Sequence, residues 1–276
     1  MKYALCNELY GTLDVHQVID RASELGYDGL ELAPFTLADD LLSYPAGRQR
    51  ELAEHARDRG VEIMGYHWLL RAPEGLHLLP QDAKVRQATL DLLRKLIELG
   101  ANTGGRILTL GSPKQRSFPE GDDLASASER VRELLSALTP ELEEAGLLLS
   151  FEPLEYEYTN LLTSTAEARA LADSMGSPAY GITLDTHFLR WEREQRGVGL
   201  KEALSIAGGR LAHIHVQDDN RRAPGMGGDD FGPLVSALGS IGWDGWMSME
   251  TFVSEDPGEA EEIAARGIEF MRRHFG

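Results

Sequence analysis

Short apolar runs recur along the chain and alternate with helix-like stretches. The eight strand-like runs, each bounded by glycine or polar residues, are 2–8, 27–33, 61–67, 106–112, 146–152, 180–185, 211–217 and 245–251. Between them the apolar spacing is helical, as in 14–26, 48–60, 85–101, 127–146 and 257–276. Strict alternation of strand and helix predicts an α/β protein with an all-parallel sheet.

The length and the number of strands favour a closed barrel. Eight strands and eight helices within 276 residues predict a (β/α)8 TIM barrel. No Pro/Ser-rich linker divides the chain, so we expect a single domain over residues 1–276. A doubly wound open sheet is the alternative. No strand-to-helix turn carries a GxGxxG or P-loop pattern, which disfavours the nucleotide-binding versions of that fold.

The net charge argues against nucleic-acid and membrane partners, and the cysteine content bears on the cellular compartment. Lys and Arg number 27 against 45 Asp and Glu, a formal net charge of −18. Such a surface repels nucleic acid and anionic membranes, so we expect neither as a partner. Cys6 is the single cysteine, and no apolar run suits a signal peptide or a membrane span. These features predict a cytoplasmic protein, with a homo-oligomer left open.

Ionisable side chains end the last four strands with the same parity. Alternate residues of a strand share a face, and the less apolar face should line the barrel. In each of these strands that face ends in an ionisable residue: Glu152, Asp185, His215 and Glu250. Because the carboxyl ends of barrel strands meet at one mouth, we expect the four side chains to converge there.

Three carboxylates and an imidazole at one mouth predict a divalent metal ion. Their negative charges would repel one another without a cation. Oxygen and nitrogen ligands without a thiolate suit Mn, Mg, Co or Zn. An acidic residue at one strand end is commonly only a helix N-cap, but four in consecutive strands favour ligation.

Further strand-end residues are weaker candidates. Glu31 and His67 end the second and third runs with inward parity, and His67 is either a substrate-facing group or a packed core histidine. His187 follows Asp185 by two positions and is a candidate for facing the site from the loop. His213 lies deeper in its strand and should be a packed, hydrogen-bonded neighbour.

The segments FEPLEYEYTNLL, LDTHF, HIHVQDDNRRAPGMGGDDF and GWMSMETF resemble the sugar phosphate isomerase/epimerase family with the xylose isomerase-like barrel. That family includes ketose epimerases, hydroxypyruvate isomerases and inosose dehydratases, with endonuclease IV as a distant relative. The resemblance implies one metal held by Glu152, Asp185, His215 and Glu250. It also implies that the two glutamates form the acid/base pair and that Arg221, six residues after the histidine, contacts substrate.

Two positions depart from the ketose epimerase pattern. Tyr158 stands where those enzymes usually carry a second glutamate, and Phe188 stands where they carry a histidine. Both departures bear on substrate positioning rather than on the metal. The segment GSPKQR carries Lys114 and Arg116, which are candidates for binding an anionic substrate group. The alternative is a basic loop that pairs with an acidic surface.

These observations predict a metal-dependent isomerase or epimerase of a small sugar, polyol or sugar phosphate. The metal would stabilise an enediolate, and the glutamates would remove and return the proton. A dehydratase of an inosose-like substrate is the near alternative, because the same intermediate can lose water. An endonuclease IV-like phosphodiesterase and a non-catalytic binding protein are lower-ranked alternatives.

Overall fold

The predicted barrel is confirmed. The computed structural model describes residues 1–11, 13–254 and 256–276. Eight parallel strands close in sequence order, and the last pairs with the first. The strands are β1 (Lys2–Cys6), β2 (Gly29–Leu32), β3 (Glu62–Tyr66), β4 (Ile107–Leu110), β5 (Leu148–Phe151), β6 (Tyr180–Asp185), β7 (Leu211–Val216) and β8 (Trp246–Met249).

Ten α-helices lie in the described part of the chain. They are α1 (Val15–Leu25), α2 (Ala46–Asp58), α3 (Ala83–Thr103), α4 (Leu124–Ser136), α5 (Thr139–Ala145), α6 (Thr165–Ser174), α7 (Thr186–Arg196), α8 (Leu200–Ala207), α9 (Gly232–Ile241) and α10 (Pro257–Phe275). Their apolar faces pack on the outward faces of the strands in one continuous core. No helix of the described residues is long and apolar enough to cross a membrane.

The expectation of eight helices is wrong because two connections carry two helices each. The stretch 127–146, expected as one helix, contains α4 and α5 with a break between them. Pro140 lies in the first turn of α5. Proline has no N–H to continue the hydrogen bonding of the preceding helix, and its ring disfavours a helical conformation before it. The connection from β6 to β7 likewise holds both α7 and α8.

Small and apolar residues close the barrel at its amino-terminal end. Ala4, Met64 and Ile107 form a separate buried cluster there, covered by Trp246. Gly29 is required at this level, because a Cβ atom would lie 2.6 Å from the carbonyl oxygen of Glu62. The interior is therefore filled at this end, and the polar strand-end residues lie at the opposite mouth.

Candidate active site and metal centre

The four residues chosen by parity lie together at the carboxyl-terminal mouth. Asp185 ends β6 and His215 is the penultimate residue of β7, while Glu152 and Glu250 directly follow β5 and β8. One ligand atom from each lies within 4.8 Å of those of the other three. Three of the side chains are buried, and that of Glu250 is 19% exposed. The four side chains therefore lie as close together as the sequence predicted, and their role as metal ligands stays a prediction.

The imidazole of His215 is held between carboxylates. Nε2 lies 2.9 Å from Oε2 of Glu31, while Nδ1 lies 2.8 Å from Oε1 of Glu152 and 2.9 Å from Oε2 of Glu250. Glu31 is fully buried, and its Oε1 accepts a hydrogen bond from Thr109. Burial alone would lower the pKa of His215, but the charges of Glu31, Glu250 and Glu152 outweigh it and raise the pKa.

This arrangement fits a divalent cation. Burial would raise the pKa of Glu31, yet the neighbouring histidines His213 and His215 lower it, so Glu31 is an ionised acceptor. His215 therefore donates from Nε2 to Glu31, which leaves Nδ1 to face Glu152 and Glu250. Only a proton or a metal ion satisfies that nitrogen and those oxygens together. A carboxylate that orients a histidine through its other nitrogen is a usual outer partner of a metal ligand.

The two glutamates differ in their affinity for a proton. Burial raises the pKa of Glu152 to about 7. Burial would also raise the pKa of Glu250, but the charge of His215 outweighs it and lowers the pKa to about 2. Two carboxyl groups in one site with separated pKa values are suited to acid and base roles.

Asp185 also caps a helix. Its Oδ1 accepts from the backbone N–H groups of His187 and Phe188 at the start of α7, and its Oδ2 accepts from Nε2 of Gln217 at 2.7 Å. Asp185 is therefore a helix N-cap, which is the common role of an acidic residue at a strand end. This role coexists with the approach to His215 and Glu152. The cap holds the carboxylate in a fixed orientation at the mouth.

Trp68 and Gly111 position the two glutamates. Nε1 of Trp68 donates to Oε1 of Glu250 at 3.1 Å. Trp68 has a φ of +53°, a conformation that a bulky residue adopts only when the surrounding structure enforces it. At Gly111 a Cβ atom would lie 2.1 Å from Oε2 of Glu152, so any side chain there would displace the carboxylate.

A pocket opens above the four residues. Its polar floor gives way to apolar walls, and two rim residues, Tyr158 and Phe252, are 53% and 67% exposed. The lining comprises His67, Trp68, Gly111, Ser112, Pro113, Glu152, Leu154, Glu155, Tyr158, Asp185, Phe188, Arg221, Glu250 and Phe252. A few polar groups on the floor of a mostly apolar pocket are typical of a small-molecule site.

Two of the expected substrate residues line this pocket. His67 is buried, and its Nε2 lies 2.9 Å from Oε1 of Glu8. Arg221 has a φ of +61° and lies over the ring of Phe252. The loop that carries Arg221 is folded around buried Asp218, whose carboxylate accepts backbone N–H groups along the loop. The polar residues that follow β7 therefore form the hydrogen bonds that hold this loop together.

Three residues expected to contact substrate lie outside the lining of this pocket, namely Arg116, Lys114 and His187. Arg116 is fully buried, and its guanidinium donates to the carbonyl oxygens of Leu110, the last residue of β4, and of Glu152, which directly follows β5. It therefore ties the ends of two strands together and lies outside the pocket lining. Lys114 is exposed and lies outside the pocket lining. His187 also lies outside the lining; its Nδ1 accepts from Arg190. The basic segment GSPKQR therefore provides no cation to the pocket.

Glu155, Trp68 and Phe252 are pocket residues that sequence reasoning missed. Each follows a strand end by two or more positions, where the alternation of a strand no longer applies. The one usable signal was the density of aromatic and acidic residues in FEPLEYEY and the segment after His67.

Comparisons with known proteins agree with this architecture. The family model described as xylose isomerase-like TIM barrel matches residues 19–274. The chain belongs to this family. Among its relatives, D-psicose 3-epimerase of Enterocloster bolteae is 30% identical, over 95% of this chain and 91% of that protein. A probable ketose 3-epimerase of Synechocystis is 24% identical, over 94% and 90% of the two chains.

The fold is also shared with a solved structure. The crystal structure of a D-psicose 3-epimerase in the presence of D-fructose has a TM-score of 0.86, at 21% identity, and each chain is covered completely. These relatives give the dehydratase alternative no support.

Proposed function

We propose that this protein is a metal-dependent epimerase of a small ketose, which inverts the configuration of the carbon next to the ketone. The supporting observation is the pair Glu152 and Glu250, two carboxylates on the floor of one pocket that both approach Nδ1 of His215. The names of the relatives, ketose 3-epimerases, support the same reaction class.

Inversion of a carbon needs a base on one face and an acid on the other. One glutamate takes the proton of the C–H bond, and the electron pair of that bond moves to the carbonyl oxygen, which gives an enediolate. The second glutamate returns a proton from the opposite face. The surroundings of the two groups shift their pKa values in opposite directions, upward for Glu152 through burial and downward for Glu250 through the charge of His215, and such a pair suits acid and base roles.

The proposed metal ligands are Glu152, Asp185, His215 and Glu250. A divalent ion there, Mn, Mg, Co or Zn, would supply positive charge that stabilises the enediolate. His67 and Arg221, which line the pocket, would hold substrate oxygens. The apolar walls exclude water from the reacting carbon.

Solvent exchange tests the reaction directly. The metal-loaded protein is incubated in D2O with D-fructose, D-psicose, D-tagatose or D-ribulose, and NMR follows both deuterium at carbon 3 and the epimer. We expect deuterium incorporation together with the epimer for at least one sugar. Epimer formation without deuterium would exclude proton abstraction, and neither product with any ketose would contradict the proposed function.

A further inference from the structure

Glu155 presents an unpaired carboxylate beside the pocket. It lies three residues beyond Glu152 and lines the pocket, with a side chain only 5% exposed. Its buried Oε1 has no hydrogen-bond partner among the described residues. Because a buried polar atom without a partner is costly, such an atom beside a pocket indicates a ligand group.

Two donors face this oxygen without bonding to it. Nη2 of Arg221 lies 3.7 Å away and Nε2 of His187 lies 3.4 Å away, both beyond the usual length of an N–H···O bond. Arg190 donates to Nδ1 of His187 at 2.6 Å. Because Nδ1 accepts this hydrogen bond, the proton of the ring lies on Nε2, towards Glu155.

An acceptor next to a donor matches the chemistry of a hydroxyl group. A sugar O–H donates to Glu155 and accepts from Arg221, which satisfies both side chains. A phosphate has acceptor oxygens that suit Arg221 but meet repulsion from Glu155.

We propose that Glu155 and Arg221 together bind a hydroxyl group of a neutral sugar and that Glu155 excludes sugar phosphates from the pocket. This inference rests on the proposed function and narrows its substrate class. The position of Lys114 and Arg116 outside the pocket lining agrees with it, because neither side chain is placed to bind a phosphate there.

The test compares Glu155→Gln with Glu157→Gln in the metal-loaded protein. Glu157 is an exposed carboxylate two positions away and lies outside the pocket lining, so its variant removes the same charge nearby. Binding of D-fructose and of D-fructose 6-phosphate is measured by tryptophan fluorescence, since Trp68 lines the pocket. This readout does not depend on turnover. Melting temperatures verify that both variants fold.

We expect the wild type to bind D-fructose more tightly than its phosphate. Glu155→Gln should weaken D-fructose binding roughly 5- to 10-fold, because a hydrogen bond to a charged acceptor becomes one to a neutral acceptor. Glu155→Gln should also reduce the preference of the protein for D-fructose over D-fructose 6-phosphate. Glu157→Gln should change neither the affinity for D-fructose nor this preference. Equal behaviour of the two variants, or tighter binding of the phosphate by the wild type, would overturn the inference.

Deuterium exchange in the same samples separates this inference from the proposed function. Sugar binding that weakens in Glu155→Gln, without deuterium exchange in the wild type, would contradict the proposed epimerase. It would still support the binding of a hydroxyl group by Glu155 and Arg221. Deuterium exchange together with sugar binding that is the same in Glu155→Gln and in the wild type would support the epimerase and contradict the role of Glu155. If the wild type binds none of D-fructose, D-psicose, D-tagatose and D-ribulose, the pocket does not take a neutral ketose and the inference fails.

Discussion

Glutamine at position 250 cannot keep both contacts that the carboxylate of Glu250 makes, one with Trp68 and one with His215. Oε1 accepts from Nε1 of Trp68 at 3.1 Å, and Oε2 lies 2.9 Å from Nδ1 of His215. Glutamine has only one oxygen. If that oxygen faces Trp68, the amide NH2 faces the proposed metal ligands; if it faces them, the NH2 meets the N–H of the indole.

The size of this conflict depends on the burial of the donor, and Trp68 is half-buried. An unpaired buried donor costs about 1–3 kcal/mol, so Glu250→Gln should weaken metal binding roughly 5- to 150-fold. Adding Trp68→Phe removes the indole N–H and with it the conflict. The double variant should therefore bind metal more tightly than Glu250→Gln alone, which calorimetric titration of Mn²⁺ measures. A double-mutant cycle without coupling would refute this geometry.

Turnover distinguishes a base from a mere ligand. At saturating metal, Glu250→Gln and the double variant should both lose roughly 10²- to 10⁴-fold in kcat and in solvent exchange, because an amide cannot take the proton. Glu157→Gln, which changes an exposed carboxylate, should retain the wild-type rate. Full recovery of exchange at saturating metal would mean that Glu250 is only a ligand.

Four further predictions concern the surroundings of the site. Glu31→Ala should weaken Mn²⁺ binding roughly 10- to 100-fold in calorimetry, since it frees the His215 ring; unchanged affinity would exclude this orienting role. Gly111→Ala should weaken metal binding while changing the melting temperature little, because its Cβ displaces the carboxylate of Glu152. Chelation of the metal should lower the melting temperature by roughly 5–10 °C, with recovery on adding Mn²⁺. Arg116→Met should destabilise the fold by about 1–3 kcal/mol in urea titrations and leave the Kd of D-fructose unchanged, because its partners are backbone carbonyl groups outside the pocket lining.

The barrel could be predicted because its signal is repeated along the chain. Each strand is a short apolar run flanked by turn residues, and a misjudged boundary of one or two positions leaves the alternation intact. The predicted number of helices was wrong partly because a single residue, Pro140, separates α4 from α5. Pro140 divides a stretch whose apolar spacing continues across it, so periodicity alone indicates one helix where the structure has two.

Parity placed the proposed ligands because they lie within one residue of a strand. Glu152 and Glu250 directly follow the last residues of β5 and β8, and both side chains line the pocket as the alternation of the strands predicts. The nature of Arg116 was not readable in the same way. A basic residue in a loop at the mouth has the same sequence signal whether it binds an anion or, as here, backbone carbonyls.

The residues that shape specificity escape sequence reasoning for a physical reason. Trp68 reaches Glu250 across 182 positions, and Glu155 reaches Arg221 from a different loop, so neither contact has a local pattern. Trp68 and Arg221 also have positive φ angles, which no propensity of tryptophan or arginine predicts. Such strain costs about 1–3 kcal/mol per residue and persists only when the surrounding packing enforces it. The loops therefore derive their conformation from the closed barrel, and the substrate preference of this chain depends on contacts that exist only after the barrel has formed.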